Sequence, residues 1–596
     1  MEQTDLFQTI LNMLTAFLAE NPLVGEWYTT VARFLFPVLA GLILLRAIRS
    51  LVRVPHTPET WAQLSMPNGA PVRLTHWENI IGRGRSADVV LNYPSISRQH
   101  AALIRNEDET WTVHDLSSKG GVLVGDKRVE DSAVVREGDT ITLGGVPLML
   151  LPITAAEKTV QQERRRAERP AAIWPSFLWL TVFQVLTCVQ LVIAAGTVAT
   201  AALPMVFLGL TALMWLYFAA LRLSRCVGFE METIAFFLST LSLAITASSA
   251  PAALPKQFMA ILLGLILFLV LGVFLRDLPR TQKLRWFMAA AAIGLLGITL
   301  VLGTGKYGAK NWLTIGPLSL QPSELAKICY IFAGAATLER LFRRRNLGLF
   351  ILLTGICIGC LGLMSDFGTA AIFFVTFLVI AYLRSGDFAT LSLICGGAVF
   401  GAILILEFKP YILNRFAVWG HAWEQASGAG FQQTRTMSAA ASGGLVGMGA
   451  GNGWLHRVAA ADTDLVFGML CEEWGLLIAL LAVASIITLA VFAARACRVG
   501  RSSFYVIAAC AASSLLVFQT CLNVFGSVDI LPLTGVTFPF VSNGGSAMMS
   551  AWGLLAFLKA TDTRENASFA IRDLSRRRYQ PTRAAVKREE AEDEED

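Results

Sequence analysis

The sequence predicts a polytopic α-helical membrane protein with about thirteen spans and an inserted all-β domain. Hydrophobic residues make up 55% of the 596 residues and charged residues only 15%, whereas soluble domains carry roughly 25% charged residues. The apolar residues lie in long continuous runs, while a soluble core would scatter them periodically among polar ones. The composition therefore excludes a purely soluble protein.

Residues 1–52 form an N-terminal segment with one predicted membrane anchor. Polar residues interrupt the apolar stretch of residues 1–26 too often for it to span, whereas Trp27 to Val52 gives about one bilayer thickness of apolar residues. No small-residue cleavage site follows a short apolar core, so we expect an uncleaved anchor.

Residues 53–155 differ in character from their surroundings. They contain charged residues, turn pairs such as Asn68-Gly69 and Gly144-Gly145, and short β-branched runs, a combination typical of a small all-β domain. A basic linker over residues 156–173 follows and includes the run Glu163 to Arg169.

Residues 174–560 alternate apolar runs with short loops and predict twelve further spans. Two additional transmembrane helices over residues 174–229 precede a membrane core over residues 230–560, and a charged tail of residues 561–596 follows. The twelve runs are 174–200, 203–223, 231–250, 257–275, 285–304, 323–341, 347–365, 367–384, 388–407, 467–494, 503–525 and 544–560.

The positions of Lys and Arg in the short loops predict the orientation of the spans. When alternate loops are assigned to opposite sides, one side holds nearly all of these residues and the other holds Lys256, Lys306 and Lys310. We expect the basic side, with the β domain, linker and tail, to be cytoplasmic. Loops 305–322, around 366, 408–466 and 526–543 then lie outside. The net charge of +6 reflects this topology and predicts no nucleic-acid partner.

Three loops of the β domain carry a recognisable set of polar residues: Gly82-Arg83, Ser97 to His100, and Asp115 to Gly121. At these spacings the domain resembles a forkhead-associated (FHA) domain, a β-sandwich that reads phosphothreonine. The resemblance implies that Arg83 and Ser97 hold the phosphate, that Arg98 assists, and that His100 is structural. A phosphate with nearly two charges favours a guanidinium fork and hydroxyl donors.

The third loop departs from the FHA pattern. The family usually has Asn-Gly there, whereas this chain has Gly120-Gly121 preceded by Lys119. Lys119 is therefore the candidate phosphate contact in this loop. The alternative is a docking domain that no longer depends on phosphate.

Four segments on the predicted outer side carry the motifs of the membrane core, in the order Gly305 to Lys327, Met364 to Thr369, Gly430 to Gly475, and Leu531 to Met548. This ordered set resembles the SEDS family (shape, elongation, division and sporulation), whose members polymerise peptidoglycan glycan strands. The resemblance covers about residues 230–560 and ten of the thirteen predicted spans.

Asp366 is the candidate catalytic residue. It lies at the lip of a span, where a carboxylate is costly in hydrocarbon and by default indicates function, and Gly368 and Thr369 permit close helix approach beside it. The resemblance implies the same role, because Asp366 matches the Asp of the family's P-D-x-G-T motif, with Ser365 in place of the Pro. The alternative is an Asp that merely caps a helix.

Cations on the outer side are available to meet a pyrophosphate or a lipid-linked sugar, since phosphoryl groups need fixed positive charge or a bound divalent ion. Arg415 has the position of a basic residue that the family keeps. With Trp312 and Gln432 from the same motifs, the candidates for substrate binding in these loops are Lys306, Lys310, Trp312, Arg415, Gln432 and Arg435.

Five further candidates for substrate binding also have structural interpretations. Glu324 and Lys327 lie three residues apart and would pair on one helix face. Gln519 and Asn523 lie four residues apart inside a span, which favours interhelical hydrogen bonds or a substrate groove. Ser542 belongs to a small-residue segment that favours tight packing or backbone donors for phosphate.

The resemblance implies a glycosyltransferase whose substrates are lipid II and the undecaprenyl-pyrophosphate-linked glycan. Asp366 would deprotonate the 4-hydroxyl of the acceptor sugar, which attacks C1 of the growing strand and expels undecaprenyl pyrophosphate. The implied protein partners are a class B penicillin-binding protein, which is a transpeptidase, and a phosphothreonine protein that binds the FHA-like domain. We expect no dedicated metal site; a divalent cation, Mg²⁺ or Mn²⁺, is the one candidate cofactor.

Two other classes of function stay open. A lipid II transporter would use polar midplane residues such as Gln519 and Asn523. A phospho-regulated scaffold with a degenerate site would agree with departures from the family pattern at Asn311, where the family often has Arg, at Ser365, and at Asn543, where it has Tyr. Lipid II polymerisation by purified protein separates the enzyme from the transporter, and rescue by residues 170–596 alone would argue against the scaffold.

Overall fold

A computed structural model describes most of the chain, and within it a bundle of apolar helices carries an all-β domain at one end, as the sequence predicts. The described residues are 2–53, 58–67, 69, 71–84, 87–106, 109–167, 172–223, 226–276, 278–306, 309–316, 318–338, 344–385, 392–397, 399, 416–496, 499–564 and 567.

Two helices precede the β domain, α1 (Glu2–Glu20) and α2 (Pro22–Ile48), and α3 (Ala155–Ala167) follows it. Part of the segment predicted as a basic linker is therefore helical. Thr154 caps this helix, because its hydroxyl accepts a hydrogen bond from the Glu157 backbone N–H (3.3 Å) and its own N–H donates to the Glu157 carboxylate (3.3 Å). The Thr154 hydroxyl also donates to the Glu157 carboxylate (3.0 Å), and this bond, with that of the Thr154 N–H, lowers the pKa of Glu157.

The helices of the membrane part follow in chain order. They are α4 (Trp174–Ala195), α5 (Ala202–Leu223), α6 (Glu230–Ser249), α7 (Leu254–Phe274), α8 (Leu278–Leu302), α9 (Pro322–Leu338), α10 (Arg344–Leu363), α11 (Phe367–Ser385), α12 (Phe431–Gly443), α13 (Val466–Met469), α14 (Gly475–Ala496), α15 (Ser503–Ser527) and α16 (Gly545–Thr561). A π-helical turn, Leu470–Trp474, joins α13 to α14.

Nine helices of the described residues are long and apolar enough to cross a membrane. Helices α9, α11 and α16 coincide with three further predicted spans, although α9 and α16 have only 17 residues each. The predicted span 388–407 lies largely outside the described residues, so the count of thirteen stays a prediction. Helix α6 lies at the centre of the bundle, with 94% of its membrane-length window buried.

The helix ends define two sides of the bundle. The domain side holds the β domain, the turn between α14 and α15, and the end of α16. The far side holds the turn between α10 and α11, the segment between α15 and α16, and a small antiparallel sheet of β12 (Thr304–Lys306), β13 (Ala309–Ile315) and β14 (Leu318–Leu320). Helix α15 has 25 residues, so the two sides are about 37 Å apart.

The β domain consists of two sheets around one hydrophobic core. Its strands are β1 (Ala62–Ser65), β2 (Pro71–Leu74), β3 (Glu78–Gly82), β4 (Val89–Val90), β5 (Ala101–Arg105), β6 (Trp111–Asp115), β7 (Val122–Val124), β8 (Lys127–Arg128), β9 (Ser132–Val135), β10 (Thr140–Leu143) and β11 (Val146–Leu151). The sheet orders are β2-β1-β11-β10-β7-β8 and β4-β3-β5-β6-β9.

The β domain docks onto the turn that precedes α15. The Arg501 guanidinium forms a two-point ion pair with the Glu59 carboxylate (2.5 and 2.9 Å). The Glu78 carboxylate accepts from the Ser502 hydroxyl (2.9 Å) and the Ser503 N–H (2.8 Å). Glu78 therefore supplies negative charge to the first turn of α15, where the helix dipole favours it.

A buried charge cluster closes the domain side beside this contact. The Arg564 guanidinium bonds the Asp562 carboxylate (2.7 Å) and the Glu230 carboxylate (3.2 Å), and the Ser50 hydroxyl also donates to Glu230. Nearby, the Lys559 ammonium pairs with Glu232 (3.0 Å). The cluster joins the end of α2 to the start of α6 and the end of α16.

Candidate functional site

The turn between α10 and α11 presents the Asp366 carboxylate at the far side. Asp366 is 8% exposed. Its Oδ1 accepts from the Thr369 N–H (3.1 Å), and its Oδ2 accepts from the Asn311 side-chain amide (3.0 Å). The preceding Ser365 has a φ of +61°, a left-handed conformation that non-glycine residues adopt at a cost and that clusters at functional sites. Asp366 thus caps α11 with one oxygen and has a second oxygen outside that cap.

Close packing fixes this turn against the segment between α15 and α16. A Cβ atom on Gly368 would lie 2.7 Å from a methyl carbon of Val536 and 3.2 Å from the Thr534 carbonyl oxygen. Only glycine fits there without movement of the neighbouring chain. The sequence predicted close approach at Gly368, and the structure identifies what approaches it.

Strand β13 crosses over the same turn. The Lys310 N–H donates to the Met364 carbonyl oxygen (3.0 Å), and the next residue, Asn311, reaches Asp366. Trp312 follows, half-buried. The loop predicted around residues 305–322 is therefore a small sheet, and it places Asn311, which was not among the predicted site residues, directly on the carboxylate.

Glu324 and Lys327 form a buried ion pair on the first turns of α9, with Nζ to Oε1 at 2.7 Å. The Lys327 ammonium also donates to the Gln519 side-chain oxygen on α15 (3.2 Å). Lys327 is 1% exposed and Glu324 4%. The predicted pairing on one helix face is present, and it links α9 to α15.

Gln519, Asn523 and Ser542 hold the segment between α15 and α16 in place. The Gln519 amide donates to the Thr537 carbonyl and hydroxyl oxygens (3.0 and 2.9 Å). The Asn523 amide donates to the carbonyls of Asp464 and Val536 (2.9 and 2.8 Å). The Ser542 hydroxyl donates to the Thr463 carbonyl (2.6 Å) and accepts from the Phe538 N–H (2.8 Å). Gln519 and Asn523 therefore hydrogen-bond neighbouring segments, which agrees with their structural interpretation, and Ser542 joins two segments of the far side.

The predicted cations of the far side and the residues next to them differ in exposure and in contacts. Lys310 is exposed, and exposed Arg435 stacks its guanidinium over the Phe431 ring (5.2 Å). Gln432, next to Phe431 on α12, donates to the Ala459 carbonyl (2.9 Å). Lys306 lies on β12, but its side chain is outside the described residues, and so is all of Arg415.

Glu472 and Glu473 organise the glycine-rich segment that follows α12. Both lie in the π-helical turn and are at most 1% exposed. Glu472 accepts from the Trp454 and Leu455 N–H groups (2.8 and 3.0 Å), and Glu473 accepts from the Gly451 N–H (2.9 Å). The sequence signal for this role was two adjacent acids at the head of an apolar run.

The predicted phosphate-binding residues lie together at the end of the β domain remote from the docking contact. Arg83, Arg98 and Lys119 are exposed. The Arg83 N–H donates to the Ser97 carbonyl (2.9 Å), and the Ser97 hydroxyl accepts from the Lys119 N–H (3.1 Å). Adjacent loops are in contact, so the loop backbones that carry these exposed side chains lie together.

His100 and Gly120 hold these loops together from below. His100 is fully buried; its Nδ1 accepts from the Ser97 N–H (3.1 Å), and its Nε2 lies 3.0 Å from the Gly121 carbonyl. A Cβ on Gly120 would lie 2.6 Å from the Cα of Gly144. His100 therefore has the structural position that the sequence predicted.

Within the described part of the chain, no group of three or more His, Cys, Asp or Glu residues could hold a metal ion. The far side instead offers a buried carboxylate with neutral donors, and the exposed cation Lys310 on the strand that crosses its turn. This arrangement suits proton abstraction beside an anionic leaving group.

Comparisons with known proteins agree with this architecture. The family model of FtsW, RodA and SpoVE, described as a cell cycle protein, matches residues 216–567, and an FHA domain model matches residues 79–144. A probable peptidoglycan glycosyltransferase FtsW of Escherichia coli O6:H1 is 31% identical over 301 residues, covering 48% of this chain and 72% of the relative.

Two further relatives are similar over the same region. The peptidoglycan glycosyltransferase RodA of Mycobacterium bovis is 28% identical over 325 residues, covering 51% of this chain and 69% of the relative. A chain from a solved peptidoglycan synthase complex that polymerises and crosslinks is 27% identical, with a TM-score of 0.46, covering 59% of this chain and 98% of that one.

Proposed function

The chain belongs to the FtsW, RodA and SpoVE family, and from this premise we propose how its far side polymerises glycan strands. It is a peptidoglycan glycosyltransferase of the membrane, and it carries an FHA domain. The residues that perform the reaction, the sidedness and the protein partners are the content of the proposal.

The domain side is the cytoplasmic side. Its short loops collect nearly all of the Lys and Arg residues, and cytoplasmic loops carry this excess. The far side, with Asp366, therefore faces outward. Lipid II reaches it from the membrane, with the sugar and pyrophosphate in the water layer above the helix ends.

Asp366 is the general base. The observation that carries this assignment is that its Oδ2 lies outside the α11 cap and meets a neutral amide, so the carboxylate is oriented and yet not neutralised by a cation among the described side chains. It takes the proton of the acceptor 4-hydroxyl, and the resulting oxygen nucleophile forms a bond to C1 of the growing strand. The bond from C1 to the pyrophosphate oxygen breaks, and undecaprenyl pyrophosphate leaves.

Lys310 and Arg435 neutralise the departing pyrophosphate, together with Lys306 and Arg415 from the parts outside the described side chains. Trp312 and Gln432 line the same side. The other candidates support substrate binding without contacting the substrate, because they hold α9 and the segment between α15 and α16 in place: Glu324, Lys327, Gln519, Asn523 and Ser542. A divalent cation, Mg²⁺ or Mn²⁺, would be held mainly by the pyrophosphate oxygens.

Two protein partners complete the proposal. A class B penicillin-binding protein, as the transpeptidase, would crosslink the strands made at the far side. A phosphothreonine protein would bind Arg83, Ser97, Arg98 and Lys119, because these residues are accessible and grouped on one surface.

Asp366→Asn tests the assignment. We expect the purified variant in liposomes to lose about 10²- to 10⁴-fold of the lipid II polymerisation rate, the usual contribution of a placed general base. The matched control is Asp529→Asn, because Asp529 is a far-side aspartate that accepts from the Gly420 and Ala422 N–H groups. Polymer from the Asp366 variant at the wild-type rate would overturn the assignment. No polymer from wild type, with Asp366→Asn fully functional in cells, would favour the transporter.

A further inference from the structure

Among the described side chains, Asn311 is the one that donates a hydrogen bond to Oδ2 of Asp366, the carboxylate oxygen that does not cap α11. Its amide nitrogen lies 3.0 Å from Oδ2, and the backbone of the preceding residue is pinned to the same turn through the bond from the Lys310 N–H to the Met364 carbonyl (3.0 Å). The strand and the turn are therefore joined by two adjacent hydrogen bonds. Asn311 cannot shift along the strand without breaking the backbone bond beside it.

The charged residues of the elements around this turn are few, and the Asp464 carboxylate lies against Gly535 of the segment that packs on Gly368. On β13, Lys310 is exposed to water. On α9, which packs against α11, Glu324 and Lys327 satisfy each other. Helix α15, also packed against α11, has no charged residue, and neither does the segment 531–543. The charged residues of α10 and α11, Arg344, Arg345 and Arg384, lie at the opposite ends of these helices.

The chemical difference between an amide and a cation at this position is large. A cation within about 4–6 Å of a carboxylate favours the charged form by about 1–3 pH units, which makes the carboxylate a weaker base. A neutral amide donates one hydrogen bond and adds no net charge. It can therefore orient the carboxylate without a comparable loss of basicity.

We propose that Asn311 is a positioning residue for Asp366: its amide directs the proton-accepting oxygen toward the acceptor sugar without placing a charge beside it. This inference rests on Asp366 being the general base. Asn311 itself need not touch the substrate, since it acts through the carboxylate.

Two substitutions separate orientation from charge. Asn311→Leu keeps the approximate size and removes the donor; we expect the maximal polymerisation rate to fall about 10- to 100-fold, the cost of a misplaced catalytic group, with little change in KM for lipid II. Asn311→Arg supplies a cation; we expect the acid limb of the pH–rate profile to move to lower pH by about one unit or more. Asn311→Gln, which keeps the amide on a longer arm, should recover part of the rate lost in Asn311→Leu.

Control variants distinguish three outcomes: Asn311 does not position Asp366, the substitution disrupts folding, or Asp366 is not the general base. Thr314→Ala alters an exposed residue of the same strand and should keep the wild-type rate and profile. The double variant Asn311→Leu/Asp366→Asn should be no slower than Asp366→Asn alone, because residues that act as a unit are not additive. An inactive Asp366→Asn together with a wild-type rate and pH profile for Asn311→Leu would overturn the positioning role alone. An active Asp366→Asn would overturn the base as well.

Discussion

At the domain side of the bundle, buried carboxylates meet cations, whereas at the far side they meet amides and backbone N–H groups. Glu230 and Asp562 share Arg564, and Glu232 has Lys559. Asp366, Glu472 and Glu473 have no ion pair among the described residues. Glu324 is the far-side exception, paired with Lys327 inside the bundle.

The difference separates two uses of a buried charge. In a fully paired cluster, the ion pairs hold chain segments together. A carboxylate in such a pair does not readily accept a proton from a substrate. A carboxylate that is only hydrogen-bonded keeps its capacity to take a proton. The end of the bundle to which we assign proton transfer is therefore the end where Asp366, Glu472 and Glu473 have no ion pair among the described residues.

Removal of the central cation should have the largest effect on stability. Arg564→Met leaves Glu230 and Asp562 buried without a partner, and we expect a loss of about 3–5 kcal/mol, seen as a lower unfolding midpoint in detergent. An unchanged midpoint would contradict the structural role of the cluster.

The same cluster should give the wild type an acid limit. Burial alone would raise the pKa of Asp562, but the Arg564 guanidinium holds it below its usual value. Because the folded pKa is lowered, the stabilisation is present above the ordinary Asp range and is lost as the pH falls through the lowered value. Arg564→Met should abolish this acid-dependent loss.

An intermediate effect is expected at Glu472. Both of its oxygens accept backbone N–H groups, so Glu472→Gln turns an NH₂ group toward one of these donors and should cost about 1–3 kcal/mol. Glu473→Gln is the matched control. Glu473 uses one oxygen, and its Oε1 has no partner among the described residues, so glutamine can keep the one bond. Equal losses in the two variants, measured by thermal unfolding, would contradict this account.

The smallest effect is expected at Glu78, a domain-side acid that meets backbone and hydroxyl donors. Glu78→Gln weakens the capping of α15 and should cost about 1 kcal/mol, measured by thermal unfolding of the full chain. The affinity of the Glu78→Gln variant for a phosphothreonine peptide should be unchanged, because Glu78 and Arg83 lie about 16 Å apart at opposite ends of β3.

Arg83→Ala should weaken the binding of the same peptide about tenfold or more. No binding by wild type would contradict phosphate reading.

The sequence predicted the helical bundle with its β domain, and the family, because long apolar runs and ordered motifs are local signals. Asp366 was predicted as a site residue for the same reason, since a lone carboxylate at the end of an apolar run can be recognised from the neighbouring sequence. Its partner Asn311 was not, because the two residues are 55 positions apart in the chain, and the helical hairpin between them brings β13 back over the turn. The Arg501–Glu59 contact, 442 residues apart in the chain, likewise has no local signal.

The roles of polar residues inside the spans were the hardest to predict from the sequence. Gln519 and Asn523 predicted either a groove or interhelical bonds, and only the position of the segment between α15 and α16 decides which donors they meet. The buried amides face that segment and not an open path, so they no longer give the transporter alternative its support.

The helices before the family-matched region reach into the far side. Phe36 of α2 and Phe183 of α4 pack on Trp474, with ring centroids 4.9 and 5.7 Å apart, and the Gln190 amide of α4 donates to the Ala450 carbonyl (3.4 Å). A truncation that starts at residue 170 therefore also removes the contact of α2 with Trp474. A clean test of the β domain excises that domain alone and rejoins α2 to α3 and α4.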